Sequence, residues 1–192
     1  MGTALRARAA GAVRIGAGSL KGRAIAVPKS ARPSEARVRG ALFSIWAERI
    51  HDARFLDLFA GSGAVGIEAL SRGALEAVFV ESDRAAVEVL RRNLALVPRT
   101  AARLHPRDVD AAIAEMSGRD DRFDLIFLDP PYAGEVSEST LTSLAGIASE
   151  DAELAVEHSR RNPPPAEARG WIRRDLRRYG DTALSIYGRT GL

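Results

Sequence analysis

Short apolar runs alternate with amphipathic stretches along most of this chain. Phe55, Leu56, Leu58 and Phe59 form a run interrupted only by Asp57, and Ala77–Val80, Ala102–His105, Phe123–Leu128 and Glu153–Glu157 read as further strands. Brief runs with little polar alternation suit strands buried on both faces of a parallel sheet. Between them, helical spacing predicts helices over Ala64–Leu70, Arg84–Leu96, Val109–Met116 and roughly Ser139–Ile147, with Gly73, Pro98 and Gly118 as stops. Near the end, Trp171–Arg177 and Thr182–Tyr187 flank Tyr179-Gly180-Asp181, a hairpin signal. The alternation predicts an α/β fold: a doubly wound, mostly parallel, seven-stranded sheet with an antiparallel C-terminal hairpin.

Before this repeating part the pattern differs. Residues 1–12 have no usable periodicity and are expected to be a disordered tail. Val13–Gly16 and Arg23–Val27 are β-prone runs about the glycine-rich stretch Gly16–Gly22, which predicts a small hairpin. Arg32-Pro33 then breaks the chain, and Ser34 with Glu35 signals a helix start. Val38, Ala41, Leu42, Ile45, Trp46 and Arg49 recur as one apolar stripe, with Arg37 and Arg39 expected off it and facing a ligand.

Composition changes the picture in one respect. With 46% hydrophobic and 28% charged residues the chain is an ordinary globular sequence, and its 192 residues fit one domain. It has no cysteine, so disulfides and thiolate metal sites are excluded; His51, His105 and His158 are scattered, and no metal site is expected. No apolar run is long enough to span a membrane, no signal peptide is discernible, and a cytoplasmic location is expected. The net charge of +3 hides a strong asymmetry. Residues 1–39 hold nine Lys/Arg against Glu35 alone, a net +8, residues 159–192 hold eight Arg against three acids, a net +5, and the middle is therefore −10. Basic ends on an acidic centre point to a polyanion held by the ends.

The candidate chemistry starts at Gly61, Gly63 and Gly66, which fit G-x-G-x-x-G after a strand and before a helix. Backbone without Cβ atoms beside a helix N-terminus admits a nucleotide-like ligand closely. Glu81 follows Gly61 by 20 residues at the end of the next strand, where it can accept ribose hydroxyls. This much suits either a nicotinamide dinucleotide or S-adenosylmethionine.

Asp129-Pro130-Pro131-Tyr132, at the end of strand Phe123–Leu128, separates the two. If that strand lies beside Phe55–Leu58, the tetrapeptide faces the glycine turn across the crevice where strand order reverses. Ionised Asp129 accepts hydrogen bonds, the Pro130 carbonyl is a second acceptor on a stiff frame, and Tyr132 offers a stacking ring. Two acceptors and a platform suit the exocyclic amino group of a nucleobase.

Asp57-Leu58-Phe59-Ala60-Gly61-Ser62-Gly63, Glu81, Asp108 and Asp129–Tyr132 resemble the successive motifs of amino-group methyltransferases using S-adenosylmethionine. Arg32-Pro33-Ser34, Arg37-Val38-Arg39, Leu42-Phe43 and Gly66-Ile67-Glu68-Ala69-Leu70-Ser71-Arg72-Gly73 resemble the bacterial RsmD-like family, which methylates N2 of a guanine in 16S ribosomal RNA. Ala36 and Gly40 depart from that pattern, where acidic residues are usual, as does Ser34 where Thr is usual. The resemblance implies a tail over 1–12, an RNA-binding hairpin and helix over 13–50 and a Rossmann-like methyltransferase domain over 51–192. It implies that Asp57, Phe59, Ala60, Gly61, Ser62, Gly63, Glu81, Ser82, Asp108 and Val109 hold the cofactor. Within that set Asp57 takes the ammonium end, Glu81 the ribose and Asp108 the adenine amino group. Asp129, Pro130, Pro131 and Tyr132 form the catalytic set, and Arg14, Lys21, Arg23, Arg32, Arg37 and Arg39 the RNA-binding one. The implied partner is 16S ribosomal RNA, free or in a small subunit or its assembly intermediate, met by a monomer. An adenine-N6 DNA methyltransferase is the alternative within the class. A dinucleotide-dependent oxidoreductase and a non-catalytic RNA-binding module are the alternatives outside it.

Overall fold

The computed structural model describes residues 11–28, 36–131 and 136–190. Two strands, β1 (Gly11–Arg14) and β2 (Ala24–Val27), pair antiparallel and precede helix α1 (Ala36–Ile45). Then come β3 (Arg54–Leu58), α2 (Ala64–Ser71), β4 (Glu76–Val80), α3 (Arg84–Asn93), β5 (Ala102–His105), α4 (Val109–Gly118), β6 (Phe123–Leu128) and α5 (Glu138–Ala145). The chain closes with β7 (Ala148–Ser159), β8 (Glu167–Ala168), β9 (Trp171–Tyr179) and β10 (Thr182–Arg189).

Strands β3 to β10 form one sheet in the order β5-β4-β3-β6-β7-β10-β9-β8. The first five are mutually parallel and the last three antiparallel. The expected seven strands are present, and the two-residue β8 adds an eighth at the edge. Strand order reverses beside β3, whose neighbours are β4 and β6, so the crevice predicted from the sequence opens between the carboxyl ends of β3 and β6. In register, Phe55 meets Leu125 and Leu58 meets Leu128.

Both faces of the sheet are covered. Alternate strand residues such as Phe55, Phe79, Phe127 and Ala155 pack with α1, α2 and the N-terminal hairpin, while Leu56, Val80, Leu128 and Val156 pack with α4 and α5. This two-sided burial is why the central strands read as continuous apolar runs. Three helices are capped by side-chain oxygens: Asp83 accepts from the Ala86 N–H, Asp108 from the Asp110 N–H and Ser137 from the Thr140 N–H. Ser34, the predicted cap of α1, lies outside the described residues.

Several boundaries differ from the sequence reading. The hairpin starts at Gly11, so Gly11 and Ala12 belong to a strand opposite Val27 and Ala26 and not to the tail. Helix α3 stops at Asn93 and its last residues form a 3-10 turn over Leu94–Leu96, which brings Val97 into the core ahead of Pro98. Strand β7 runs five residues before and two residues after Glu153–Glu157; Ser149, Glu150 and Asp151 near its start are polar, Glu150 and Asp151 exposed, which erased the apolar signal there. The hairpin turn at Gly180-Asp181 is as expected, with Gly180 at φ 62.

Candidate active site

The glycine turn leaves β3 through a tight backbone path. Phe59 and Gly61 adopt φ 58 and φ 54, and Gly63, at φ 77, sits at the N-cap of α2. A Cβ at Gly63 would stand 2.4 Å from Leu90 Cδ1, and one at Gly66 would stand 2.3 Å from the Phe79 ring. Gly63 therefore serves both a left-handed conformation and a close approach, and Gly66 lets α2 lie against β4. Ala60 and Ser62 are buried within the turn, while Phe59 and Gly61 stay partly open.

Carboxylates surround this turn. Asp57, 2% exposed, accepts from the Gly66 N–H at 2.9 Å. Glu81 accepts from the Gly61 N–H and the Asp83 N–H, both at 2.8 Å, so its side chain fixes the turn. Asp129 follows β6, and its N–H donates to the Leu58 carbonyl at 3.4 Å, tying the start of Asp129–Tyr132 to the strand that carries the glycine turn. Burial pushes the Asp57 carboxyl well above the ordinary carboxylate range, with Asp129 and Glu81 adding to the rise and the Gly66 N–H opposing it. A row of carboxylates around a ligand-sized turn is chemically suited to a cation, and a sulfonium with an ammonium end is one.

The structure brings Asp57, Ala60, Gly61, Ser62, Gly63, Glu81 and Asp129 to adjoining strand ends, with partly exposed Pro130 and exposed Pro131 after them. Tyr132 lies outside the described residues, as does Arg32. Ser82 is exposed just beyond β4. Asp108 caps α4, with Val109 buried behind it. Asp108 follows β5 and Glu81 follows β4, on neighbouring parallel strands. Among the described residues no group of three or more His, Asp or Glu could hold a metal ion, and no helix is long and apolar enough to cross a membrane.

The basic residues divide. Arg14, Lys21, Arg23 and Arg37 are exposed, and Arg37 lies over the Tyr179 ring at 5.6 Å, which brings α1 against the C-terminal hairpin. Arg39 corrects the expectation that it faces a ligand. It is 4% exposed, pairs with Glu68 at 2.8 Å and donates to the Arg14 carbonyl. The cause is steric: beside Val38 and one turn before Leu42 and Phe43, it points into the joint between α1, α2 and the hairpin.

Two residues of this region escaped the sequence reading. Asn93 donates from Nδ2 to the Ser62 and Ala26 carbonyls, each at 2.8 Å, and accepts from the Ala26 N–H at 3.0 Å. It thereby bolts β2 to the glycine turn, and its only sequence signal was a poor helix former in the last turn of α3. Glu157 is the other. Phe55-Leu56-Asp57, Phe79-Val80-Glu81, Phe127-Leu128-Asp129 and Ala155-Val156-Glu157 repeat one pattern on four neighbouring strands. The first residue of each triplet packs in one core cluster and the second in the other, so the third turns its carboxylate to the same face as the first.

A doubly wound sheet with a glycine turn and acidic strand ends at its switch point defines a class I, S-adenosylmethionine-dependent methyltransferase. Within that class, a family model described as conserved hypothetical protein 95 matches residues 13–188, and the chain belongs to this family, the RsmD-like one. The ribosomal RNA small subunit methyltransferase D of Escherichia coli (strain K12) is 36% identical over 183 residues, 93% of this chain and 91% of that protein. YlbH of Bacillus subtilis (strain 168) is 33% identical over 184 residues, 93% of this chain and all of that protein. The solved structure of yhhF from Escherichia coli superposes with a TM-score of 0.83 at 34% identity, covering 95% of this chain and 100% of that one.

Proposed function

We propose that this enzyme methylates the exocyclic N2 of one guanosine in small-subunit ribosomal RNA. The observation that carries this reading is Asp129, at the switch point beside the glycine turn, on a chain 36% identical to a small-subunit ribosomal RNA methyltransferase over most of its length.

Bound S-adenosylmethionine supplies a methyl group on a positively charged sulfur, which keeps the bonding pair when the methyl leaves. The chain's own residues do the rest. Asp57 and the turn Phe59–Gly63 hold the amino-acid end, Glu81 and Ser82 the ribose, and Asp108 with Val109 the adenine. Asp129 and the Pro130 carbonyl accept the N–H bonds of the target amine, directing its lone pair at the methyl carbon. Pro131 stiffens that acceptor, and Tyr132 stacks on a base drawn out of its helix. The amine's surplus proton passes to water after the new N–C bond forms, so no obligatory base is needed. The gain is alignment and orientation.

Arg14, Lys21, Arg23, Arg32 and Arg37 contribute phosphate contacts, residues 13–50 act as the RNA-binding extension and 51–192 as the catalytic domain. Arg39 belongs to that joint as a support. The substrate is 16S ribosomal RNA in a small subunit or its assembly intermediate, and the enzyme works in the cytoplasm as a monomer. Asp129→Asn is the direct test. It keeps the shape but loses the charge, and a charge-assisted hydrogen bond contributes roughly 1.5–3 kcal/mol. Single-turnover methyl transfer should fall on the order of ten- to a hundredfold with near-normal affinity for the demethylated cofactor. Transfer at the parent rate would mean that Asp129–Tyr132 is only a turn.

A further inference from the structure

Three of the four carboxylates in the acidic row have tasks in the reading above: Glu81 on the ribose, Asp57 on the ammonium end and Asp129 on the target amine. The fourth, Glu157, does not. It ends the same triplet pattern on β7, is 7% exposed, and lies on the sheet face that carries Asp57 and Asp129. Leu128 is in register with Val156, so Asp129 and Glu157 stand at the same height on adjacent parallel strands, about 4.8 Å apart at the backbone. Glu157 also pairs with Leu184 of β10, a fully buried core residue, so the base of its side chain is fixed by packing.

The sheet order sets the direction of the row. From β4 through β3 and β6 to β7 it runs Glu81, Asp57, Asp129, Glu157, with Asp57 set two residues back in register from the other three. With the cofactor on the β4–β3 side, as proposed above, a base presenting its amine to Asp129 extends its remaining edge toward β7.

We infer that Glu157 is a specificity-determining residue, accepting the N1–H of the target guanine next to the N2 amine held by Asp129. This rests on the guanine-N2 reading above. The Watson–Crick edge of guanine carries two adjacent donors, N1–H and the N2 amine, which suit two acceptors side by side. Adenine carries a lone pair at N1 beside its N6 amine. Set against a buried carboxylate that lone pair is repelled, and two acceptors are left facing each other. The same tetrapeptide serves amines of either base, and Glu157 is what selects between them.

The discriminating probe is 2-aminopurine, which keeps the N2 amine but has an unprotonated N1. An RNA carrying the target nucleotide as guanosine or as 2-aminopurine riboside is compared in two assays: methyl transfer under single turnover, and binding in the presence of the demethylated cofactor. The parent protein should favour guanosine at least tenfold in both. Glu157→Gln should lose guanosine transfer and narrow the preference at least tenfold, because the carboxamide N–H can donate to the unprotonated N1. Its affinity for the demethylated cofactor should be unchanged. A parent protein that treats the two bases alike overturns the assignment, and needs no variant to do so. An unchanged preference in a folded Glu157→Gln protein overturns it too. Methylation of neither RNA by the parent overturns the guanine-N2 reading itself, and the assignment with it.

Discussion

At the scale of single residues, the buried Asp57 carboxyl is the most informative group. Burial holds its folded value above the ordinary value of about 3.9. In the free enzyme the folded state therefore keeps this proton to higher pH than the unfolded chain does. Its contribution to stability is full below the unfolded value and is lost as pH rises toward the folded one. Asp57→Asn should remove that slope, read as the difference between thermal melts of the two proteins across the window. If the cofactor's ammonium sits at Asp57 as proposed, it lowers that value again, so binding of the demethylated cofactor should release protons within the same window. Calorimetry in buffers of different ionisation enthalpy measures that release, and Asp57→Asn should abolish it. Placements with a sequence spacing were legible: the glycine turn, Glu81 twenty positions after Gly61 and bonded to its N–H, and Asp129 directly after a strand. Asn93 was not, since a side chain that bonds the backbone of residues 31 and 67 positions away leaves no local pattern.

At the scale of elements, the N-terminal hairpin is bolted down at three points. Asn93 grips β2; Glu68 on α2 accepts from the Gly16 N–H, Arg39 and Arg72; and Ser71 donates to the Ala17 carbonyl while accepting from the Leu20 N–H. The Arg39–Glu68 pair sits at the centre, with both side chains under 5% exposed. Breaking a buried pair costs about 3–5 kcal/mol, and Arg72 still on Glu68 places this case near the lower end. Arg39→Met should therefore lower the denaturation midpoint strongly. An unchanged midpoint would return Arg39 to the surface role first expected of it. Its misreading has a physical cause: periodicity marks apolar stripes, and an arginine buried against a carboxylate has no place in one. The core elements were legible because each central strand is buried on both faces. β7 was read at under half its length because the polar stretch Ser149-Glu150-Asp151, with Glu150 and Asp151 exposed, interrupts its apolar pattern, and the two-residue β8 is too short to carry any signal.

At the scale of the whole molecule, Arg14, Lys21 and Arg23 at the N-terminal hairpin and Arg174, Arg177 and Arg178 on β9 are exposed, and Arg37 over the Tyr179 ring joins the two basic ends. On the proposed function, such a surface would guide a polyanion toward the site while the acidic centre serves the cationic cofactor. Changing Arg14, Lys21 and Arg23 together to Ala should weaken RNA binding and flatten its salt dependence by up to about one unit of log–log slope per lost phosphate contact. Affinity for the demethylated cofactor should be unaffected. An unchanged slope would move the RNA surface to the arginines of β9. The asymmetry of charge was plain in the sequence, whereas the contact between its two basic ends depends on a fold that brings residues 37 and 179 together. The identity of the product tests the proposed function most directly. Small subunits or their assembly intermediates from a strain lacking this gene, incubated with the purified enzyme and S-adenosylmethionine, should gain N2-methylguanosine at a single position of the small-subunit RNA, found by digestion and mass spectrometry and missing with Asp129→Asn. Methyl on an adenine N6, or none on that RNA, would contradict it.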